Sequence, residues 1–519
     1  METPTPNERP VMIPTHPYQE EAAQSIALAG AKLLADQPGL GKTHTALRAL
    51  VLRRLLEETT PSIILISAPL MVCDTAWVPK FRLYFPWVTV VNAYSGSRHA
   101  RNRRIEDAIK AQQDGPVVII ANHDALGISK QGEPHMPALH TLTLDAILID
   151  ESQLVLPTEV DTPGESTQFW RGLFALSDHT PPGALRLAMS GTPDRGKLWY
   201  RFGTWRFLRP RVLERTRYEQ WLQRNFTVWY REVPVKGKDF KVKIRQVGQL
   251  KDPHGWAALD RALVIRRTKA EVAPQLPPKL YLDVDVPFDG KQYGAYADFV
   301  RRLADEDDGS TNGAAVLALR AQQWADATWQ LDPDGIYRPV IGGASAKLDW
   351  LVEFLTARGH VPGEMENPEG GKVVIASQFV RVLDWLHVEL GKLGVRALEI
   401  TGEQTAAQRT AIQQEFQQSN ADLRVVLLSS SIGVGIDLDA ADDLVFFDLP
   451  RDPDEQEQVE DRVHRVSRIH QVMIWRLRSR GTIDMLIQAT NDKTYRQTRE
   501  LMDGSRGVEF ERNLLARLR

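Results

Sequence analysis

The sequence predicts an α/β protein of two similar lobes, each a parallel sheet flanked by helices, with a mainly helical spacer between them. Three observations carry this prediction. Short apolar runs alternate with helical stretches from about residue 16 to 210, and the same texture returns from 342 to 490; this is the pattern of parallel sheets built from strand–helix–strand units. The stretch DQPGLGKT (36–43) lies between an apolar run and a helical pattern. The apolar run LDAILIDESQ (144–153) delivers two adjacent carboxylates, Asp150 and Glu151, near its end.

Composition bounds the rest. The 519 residues allow about two to four domain-sized units. A net charge of −3 gives no global basic excess, so nucleic-acid binding needs a local groove. The single cysteine, Cys73, excludes an intrachain disulfide framework and a cysteine-rich zinc site. No apolar run approaches the ~18–20 residues of a membrane span. Residues 1–15 are Pro-rich without an apolar signal core, and read as a flexible lead-in.

Residues 16–30 predict a helix with an apolar stripe behind Pro17. Gln19 at its start is either a helix-start polar group or an amide that reads an adenine edge. Residues 36–43 are either an ordinary strand-to-helix turn with two glycines or a phosphate loop, in which Gly39 and Gly41 let the backbone approach phosphate, Lys42 reaches the β- and γ-phosphates, and Thr43 holds Mg²⁺. The strict phosphate-loop pattern has Gly where this chain has Asp36. Strands are predicted at 62–70, 88–95, 116–126, 144–153 and 185–193, and a basic-headed helix at 97–113. Asp150 and Glu151 then sit at the carboxyl edge of the sheet, where open parallel sheets bind ligands. Such a pair either only caps the next helix or forms a site in which one carboxylate holds Mg²⁺ and its neighbour polarises a water. Residues 199–232 carry many aromatics among arginines and read as helices with an aromatic core. The second lobe predicts strands at 373–379, 395–402, 424–430, 443–450 and 473–479. A helix over 455–468 places Arg462 and Arg465 about one turn apart. Spacing alone serves arginine fingers and a solvated ion-paired face equally.

The motifs PYQ (17–19), DQPGLGKT, ILIDES (147–152), MSGTP (189–193), LVIRRTKAEV with LPPK (263–279), SAKLDWL (345–351), IASQF (375–379), ITGEQTAAQR (400–409), the loop 429–438 and QVEDRVHRVSR (458–468) follow one another over residues 16–490. In that order the chain resembles the Swi/Snf-type DNA translocases of helicase superfamily 2. The resemblance implies two RecA-like lobes, ATP and Mg²⁺ as cofactors, and double-stranded DNA as partner. It also implies a DNA-dependent ATPase that translocates on duplex, with a strand-separating helicase and a non-catalytic nucleotide-gated clamp as rival readings.

By the same resemblance, Gln19 reads adenine, Lys42 and Thr43 hold phosphate and metal, Asp150 positions Mg²⁺, and Glu151 is the base for water. Arg462 and Arg465 stabilise the transferring phosphoryl, and Gln458, Gly435 and Asp437 line the second-lobe side. Pro69, Lys80, Asn122, Gln378 and Thr401 fall in stretches that meet the DNA backbone. The implied domains are 16–210 and 342–490 as lobes, 211–341 as spacer and 491–519 as a helical tail. The likeness is to compact bacterial or phage motors without chromatin-reading modules, and so implies a cytoplasmic setting. Gln153 stands where the family usually has His, and Ser467-Arg468 where it has Gly-Gln.

Overall fold

A computed structural model describes residues 13–111, 115–156, 168–194, 198–213, 217–234, 241–288, 290–306, 311–334, 336–363, 370–418, 422–432, 436–465 and 468–502. The chain forms two compact units. The first holds residues up to Trp229 together with Gln246–Pro274, and the second holds Tyr230–Arg245, Gln275–Ile432 and the chain from Ile436 onward.

The first unit is built on β1 (Ala31–Leu34), β2 (Ile63–Ala68), β3 (Thr89–Asn92), β4 (Val117–Asn122), β5 (Ala146–Ile149) and β6 (Leu185–Met189). A hairpin of β7 (Phe226–Pro234) and β8 (Lys241–Leu250) carries the division between the units, and β9 (Val264–Ile265) closes one sheet edge. The seven-stranded order is β3-β4-β2-β5-β6-β1-β9, with every neighbouring pair parallel. The central strands β2, β4 and β5 are nearly continuous apolar runs because both faces are covered. Alternation assigns each side chain to a face. Leu65, Ile119, Ile147 and Ile149 join one core cluster. Ile64, Ile66, Val118, Ile120 and Leu148 join the other. Each fully buried Leu or Ile contributes roughly 1.5–3 kcal/mol. Tyr218, Trp221 and Phe226 extend the first cluster, so the aromatic segment packs as core.

The second unit holds β10 (Lys279–Val286), a small hairpin of β11 (Trp329–Leu331) and β12 (Tyr337–Pro339), then β13 (Lys372–Ser377), β14 (Ala397–Ile400), β15 (Val425–Ser429), β16 (Ala441–Phe446) and β17 (Val472–Ser479). Its six-stranded sheet runs β10-β17-β16-β13-β15-β14, again all parallel. The expected pair of parallel α/β sheets is therefore present. The stretch 211–341, expected as a mainly helical spacer, gives β9 to the first sheet and β10 to the second, and contains the two hairpins. The expected C-terminal tail starts inside a helix, Ile483–Met502, whose Asn491 Nδ2 donates to the Pro450 carbonyl at 2.7 Å. Within the second unit Lys347 is fully buried between Asp326 and Asp484, its Nζ 2.7 Å from each carboxylate.

Candidate functional site

The first unit gathers its polar side chains at the carboxyl ends of β1, β2, β4, β5 and β6. Helix α1 (Pro17–Ala29) begins with a capping box in which the His16 N–H donates to Gln19 Oε1 at 2.9 Å. Gln19 Nε2 donates to the Leu40 carbonyl at 2.9 Å. Gly39 and Gly41 hold φ of 85° and 75°, conformations that favour glycine. A Cβ on Gly41 would come within 2.4 Å of Gln19 Nε2, so the loop lacks a side chain where Gln19 packs on it. Gly41 is also the N-cap of α2 (Lys42–Leu52), which leaves the first N–H groups of that helix directed at the loop, an anion site. Lys42 Nζ donates to the Asp36 carbonyl at 3.0 Å, and half-buried Thr43 follows on the first turn.

The partner of Asp36 is not legible in the sequence around it. Its carboxylate is buried and forms an ion pair with Arg267. The Arg267 backbone N–H and Nε each lie 3.0 Å from Asp36 Oδ1. The Arg267 guanidinium also lies 5.0 Å over the Tyr18 ring. Gln37 N–H donates to the Arg267 carbonyl at 3.1 Å, Lys269 N–H to Gln37 Oε1 at 2.7 Å, and Arg266 to the Ala35 carbonyl at 3.1 Å. The RRTK segment is thus stitched along the phosphate loop. The only sequence signal was the acid at the head of the loop.

Asp150 and Glu151 follow β5 directly. Trp77 Nε1 donates to Asp150 Oδ2 at 3.0 Å, and the Glu151 N–H to Oδ1 at 3.0 Å. Burial pushes the Asp150 carboxyl up to about 6; the neighbouring Glu151 charge adds to this and Lys42 opposes it. Glu151 is left-handed at φ 47°, an unusual backbone for a residue with a side chain, and it re-aims the carboxylate from the strand. Gln153 Nε2 donates to Glu151 Oε2 at 2.7 Å. The Gln that departs from the family pattern is therefore the group that orients the second carboxylate.

Around these lie the other predicted residues of this unit. Pro69 follows β2, and Lys80 Nζ donates to the Ala76 carbonyl at 3.4 Å. Asn122 ends β4, accepts from Arg101 at 3.4 Å and donates to Asp124 at 3.3 Å. A Cβ on Gly191 would meet Pro38 Cγ at 2.7 Å, so the MSGTP tip rests on the loop.

In the second unit the helix predicted over 455–468 is shorter, Pro453–Val463, and His464 leaves it at φ −116°, ψ 83°. Arg465 is thus beyond the helix, not on one face with Arg462. The two still converge. Arg462 donates to the Ile432 carbonyl, while Arg465 donates to the Ile436 carbonyl at 3.4 Å and pairs with Asp437. Their backbone partners, Ile432 and Ile436, flank residues 433–435 in sequence; Gly435 among these lies outside the described residues. Gln458 is half-buried on the same helix. Gln378 donates its N–H to Asp448 Oδ1 at 3.0 Å and its amide to the Leu449 carbonyl at 3.1 Å. Thr401 is 1% exposed, and its N–H donates to Gln404 Oε1 at 2.6 Å, so its side chain presents no surface to a partner in this conformation.

Residues 18–323 match the model of the SNF2-related domain, and residues 346–467 match the helicase conserved C-terminal domain. The chain belongs to the SNF2-related family. It is 23% identical to a SWI/SNF-related matrix-associated actin-dependent regulator of chromatin, subfamily A containing DEAD/H box 1 homolog, of Caenorhabditis elegans, over 92% of this chain and 50% of the relative. Identity to the corresponding Homo sapiens protein is 23%, over 95% and 50%. Identity to the probable ATP-dependent DNA helicase CHR23 of Arabidopsis thaliana is 24%, over 88% and 40%. The SNF2-related chain spans about half the length, or less, of these curated relatives. The Sulfolobus solfataricus SWI2/SNF2 ATPase core in complex with dsDNA aligns over 98% of this chain and 96% of that one, at 20% identity and a TM-score of 0.38. No helix among the described residues of the SNF2-related chain is long and apolar enough to cross a membrane.

Proposed function

We propose that this SNF2-related chain is an ATP-hydrolysing motor that moves on double-stranded DNA. One observation carries the reading. At one sheet edge of the first unit, an N-capping glycine loop and a lysine without a carboxylate partner among the described residues stand with two carboxylates held by Trp77 and Gln153. The donor set fits a magnesium-bound triphosphate: backbone N–H groups and Lys42 for phosphate, Thr43 and Asp150 for Mg²⁺, and a Gln19 acceptor lone pair for a base amine. Bound Mg²⁺-ATP supplies a terminal phosphoryl group open to in-line attack by water.

Glu151 accepts the proton of that water, with Gln153 fixing the carboxylate. Arg462 and Arg465 contribute the positive charge that stabilises the transferring group, with Asp437, Gly435 and Gln458 alongside. Pro69, Lys80, Asn122, Gln378 and Thr401 are read as the segments along the DNA backbone, with Arg101 beside Asn122 adding a guanidinium. Contacts to phosphate give little sequence preference and strong salt dependence. The setting follows the compact motors of the bacterial or phage-infected cytoplasm.

The test is ATP hydrolysis without nucleic acid and with single-stranded, duplex and forked DNA at two salt concentrations. Stimulation by plain duplex, weakened by salt and lost in Lys42→Ala, supports the motor. Stimulation by forks alone gives the strand-separating helicase, and ATP binding without hydrolysis gives the clamp.

A further inference from the structure

A cleft of about 280 Å³ opens within the second unit. Its walls come from the helices Gly290–Glu306 and Thr311–Asp326, from the β11–β12 hairpin, and from the start of the helix Val380–Lys392. Aromatic side chains build the interior. Phe299 and Trp324 stack with centroids 4.3 Å apart and planes 17° apart. Trp329 is buried, and its indole N–H is fixed on the Gln323 carbonyl at 2.5 Å.

Cations build the mouth. Arg320 lies 5.6 Å over the Tyr337 ring, and Arg381 donates to the Tyr337 carbonyl at 2.8 Å. All three residues are exposed, and neither arginine pairs with a carboxylate among the described residues. A guanidinium has five N–H donors, so exposed Arg381 keeps donors beyond the one on the Tyr337 carbonyl.

Size and chemistry narrow the ligand. The volume is just under the roughly 300 Å³ at which ligand pockets begin, enough for one planar ring with a substituent. An apolar cleft alone would accept any small hydrophobe. Two guanidiniums at its mouth select a planar group that carries negative charge. A nucleoside phosphate meets both demands: its base stacks on aromatic faces and its phosphate takes charge-assisted hydrogen bonds from arginine.

We propose that this cleft binds one unpaired nucleotide, base against Trp324 and Tyr337, phosphate at Arg320 and Arg381. The nucleotide is either free or part of a single strand. The site uses none of the residues assigned to ATP or duplex, so it is a second nucleotide-recognition point beyond the motor function.

The experiment photocrosslinks the full chain to a 4-thiothymidine-containing oligothymidylate of about ten nucleotides and maps the crosslinked peptides. The expected result is a crosslink within residues 318–340. It falls by about tenfold or more in the Arg320→Ala/Arg381→Ala double variant and in Tyr337→Ala, while melting and duplex-stimulated ATP hydrolysis stay at wild-type level. Competition by thymidine monophosphate assigns the site to a free nucleotide. Crosslinking that the monophosphate does not compete assigns it to the strand. Crosslinks confined to other peptides, or undiminished in the double variant, overturn the proposal. So does competition by indole-3-acetate in the absence of any by nucleotide or unlabelled oligomer. A chain that failed to hydrolyse ATP would overturn the motor reading and leave this crosslink unaffected.

Discussion

Arg267 closes on Asp36 across 231 residues of sequence, its backbone N–H and its Nε both 3.0 Å from the same carboxylate oxygen. Asp36 heads the loop that carries Lys42, so the RRTK segment sets the position of that loop from outside it.

Arg267→Ala leaves the fully buried Asp36 carboxylate without its guanidinium. Removing one partner of a buried pair costs roughly 3–5 kcal/mol. The expected outcome is a lower-melting first unit, by on the order of 10 °C, with the transition of the second unit unchanged. Differential scanning calorimetry of the full chain checks this, and Arg267→Lys should recover only part of the loss because a lysine cannot make the forked contact.

Gln153→Ala removes the hydrogen bond that orients Glu151. Under the proposed function its expected effect is a loss of roughly tenfold in kcat with little change in KM, because the carboxylate remains but is no longer aimed. Glu151→Gln should lose on the order of 10²–10⁴. Steady-state hydrolysis on duplex separates the two; equal losses would mean that Gln153 does more than position.

Asp150 gives a pH signature. Its carboxyl is raised to about 6 in the fold, first by burial and then by the Glu151 charge, against about 3.9 unfolded. Between those values the folded state binds the extra proton, so ionisation penalises the fold progressively and in full above pH 6. Asp150→Asn keeps only one of the two acceptors that Trp77 and the Glu151 N–H use, but it escapes the ionisation penalty, so it should compare better with the metal-free wild type at pH 8 than at pH 5. Urea midpoints at pH 5 and 8 test the sign. Mg²⁺ affinity of the wild type should weaken as pH drops below about 6, since the ion competes with that proton.

Arg465→Ala separates chemistry from stability. The Arg465–Asp437 pair is partly exposed, so its loss should cost under about 1 kcal/mol. As an arginine finger it should nevertheless carry about 10³-fold or more of the hydrolysis rate. Melting and single-turnover kinetics on the same preparation decide; an unimpaired rate would reduce Arg465 to a brace for the 432–436 loop.

Lys347 is the converse case. Enclosed by Asp326 and Asp484 at 2.7 Å, it has no solvent to replace it. Lys347→Met strands two buried carboxylates and should destabilise the second unit by roughly 3–5 kcal/mol. Adding Asp326→Asn and Asp484→Asn should restore much of that, measured as the second calorimetric transition.

The sequence by itself determined the two parallel sheets, the glycine loop before α2 and the carboxylates after β5. Each of these is written in a short window. Unbroken apolar runs such as IILISA and AILI leave a strand no exposed face, and a Gly–Lys pair after such a run marks a helix start. Tertiary structure decided what lies beyond the window. Nothing in the local sequence ties Trp77 to the site, yet it holds Asp150 across 73 residues. Asp36 was a departure from a pattern until Arg267 met it. The helix carrying Arg462 stops before Arg465, and Thr401 turns inward, because chain exits and burial are set by the surfaces against which each segment packs. Local periodicity fixes which face of an element is apolar; which distant side chain reaches a given atom is settled only when those faces close on one another.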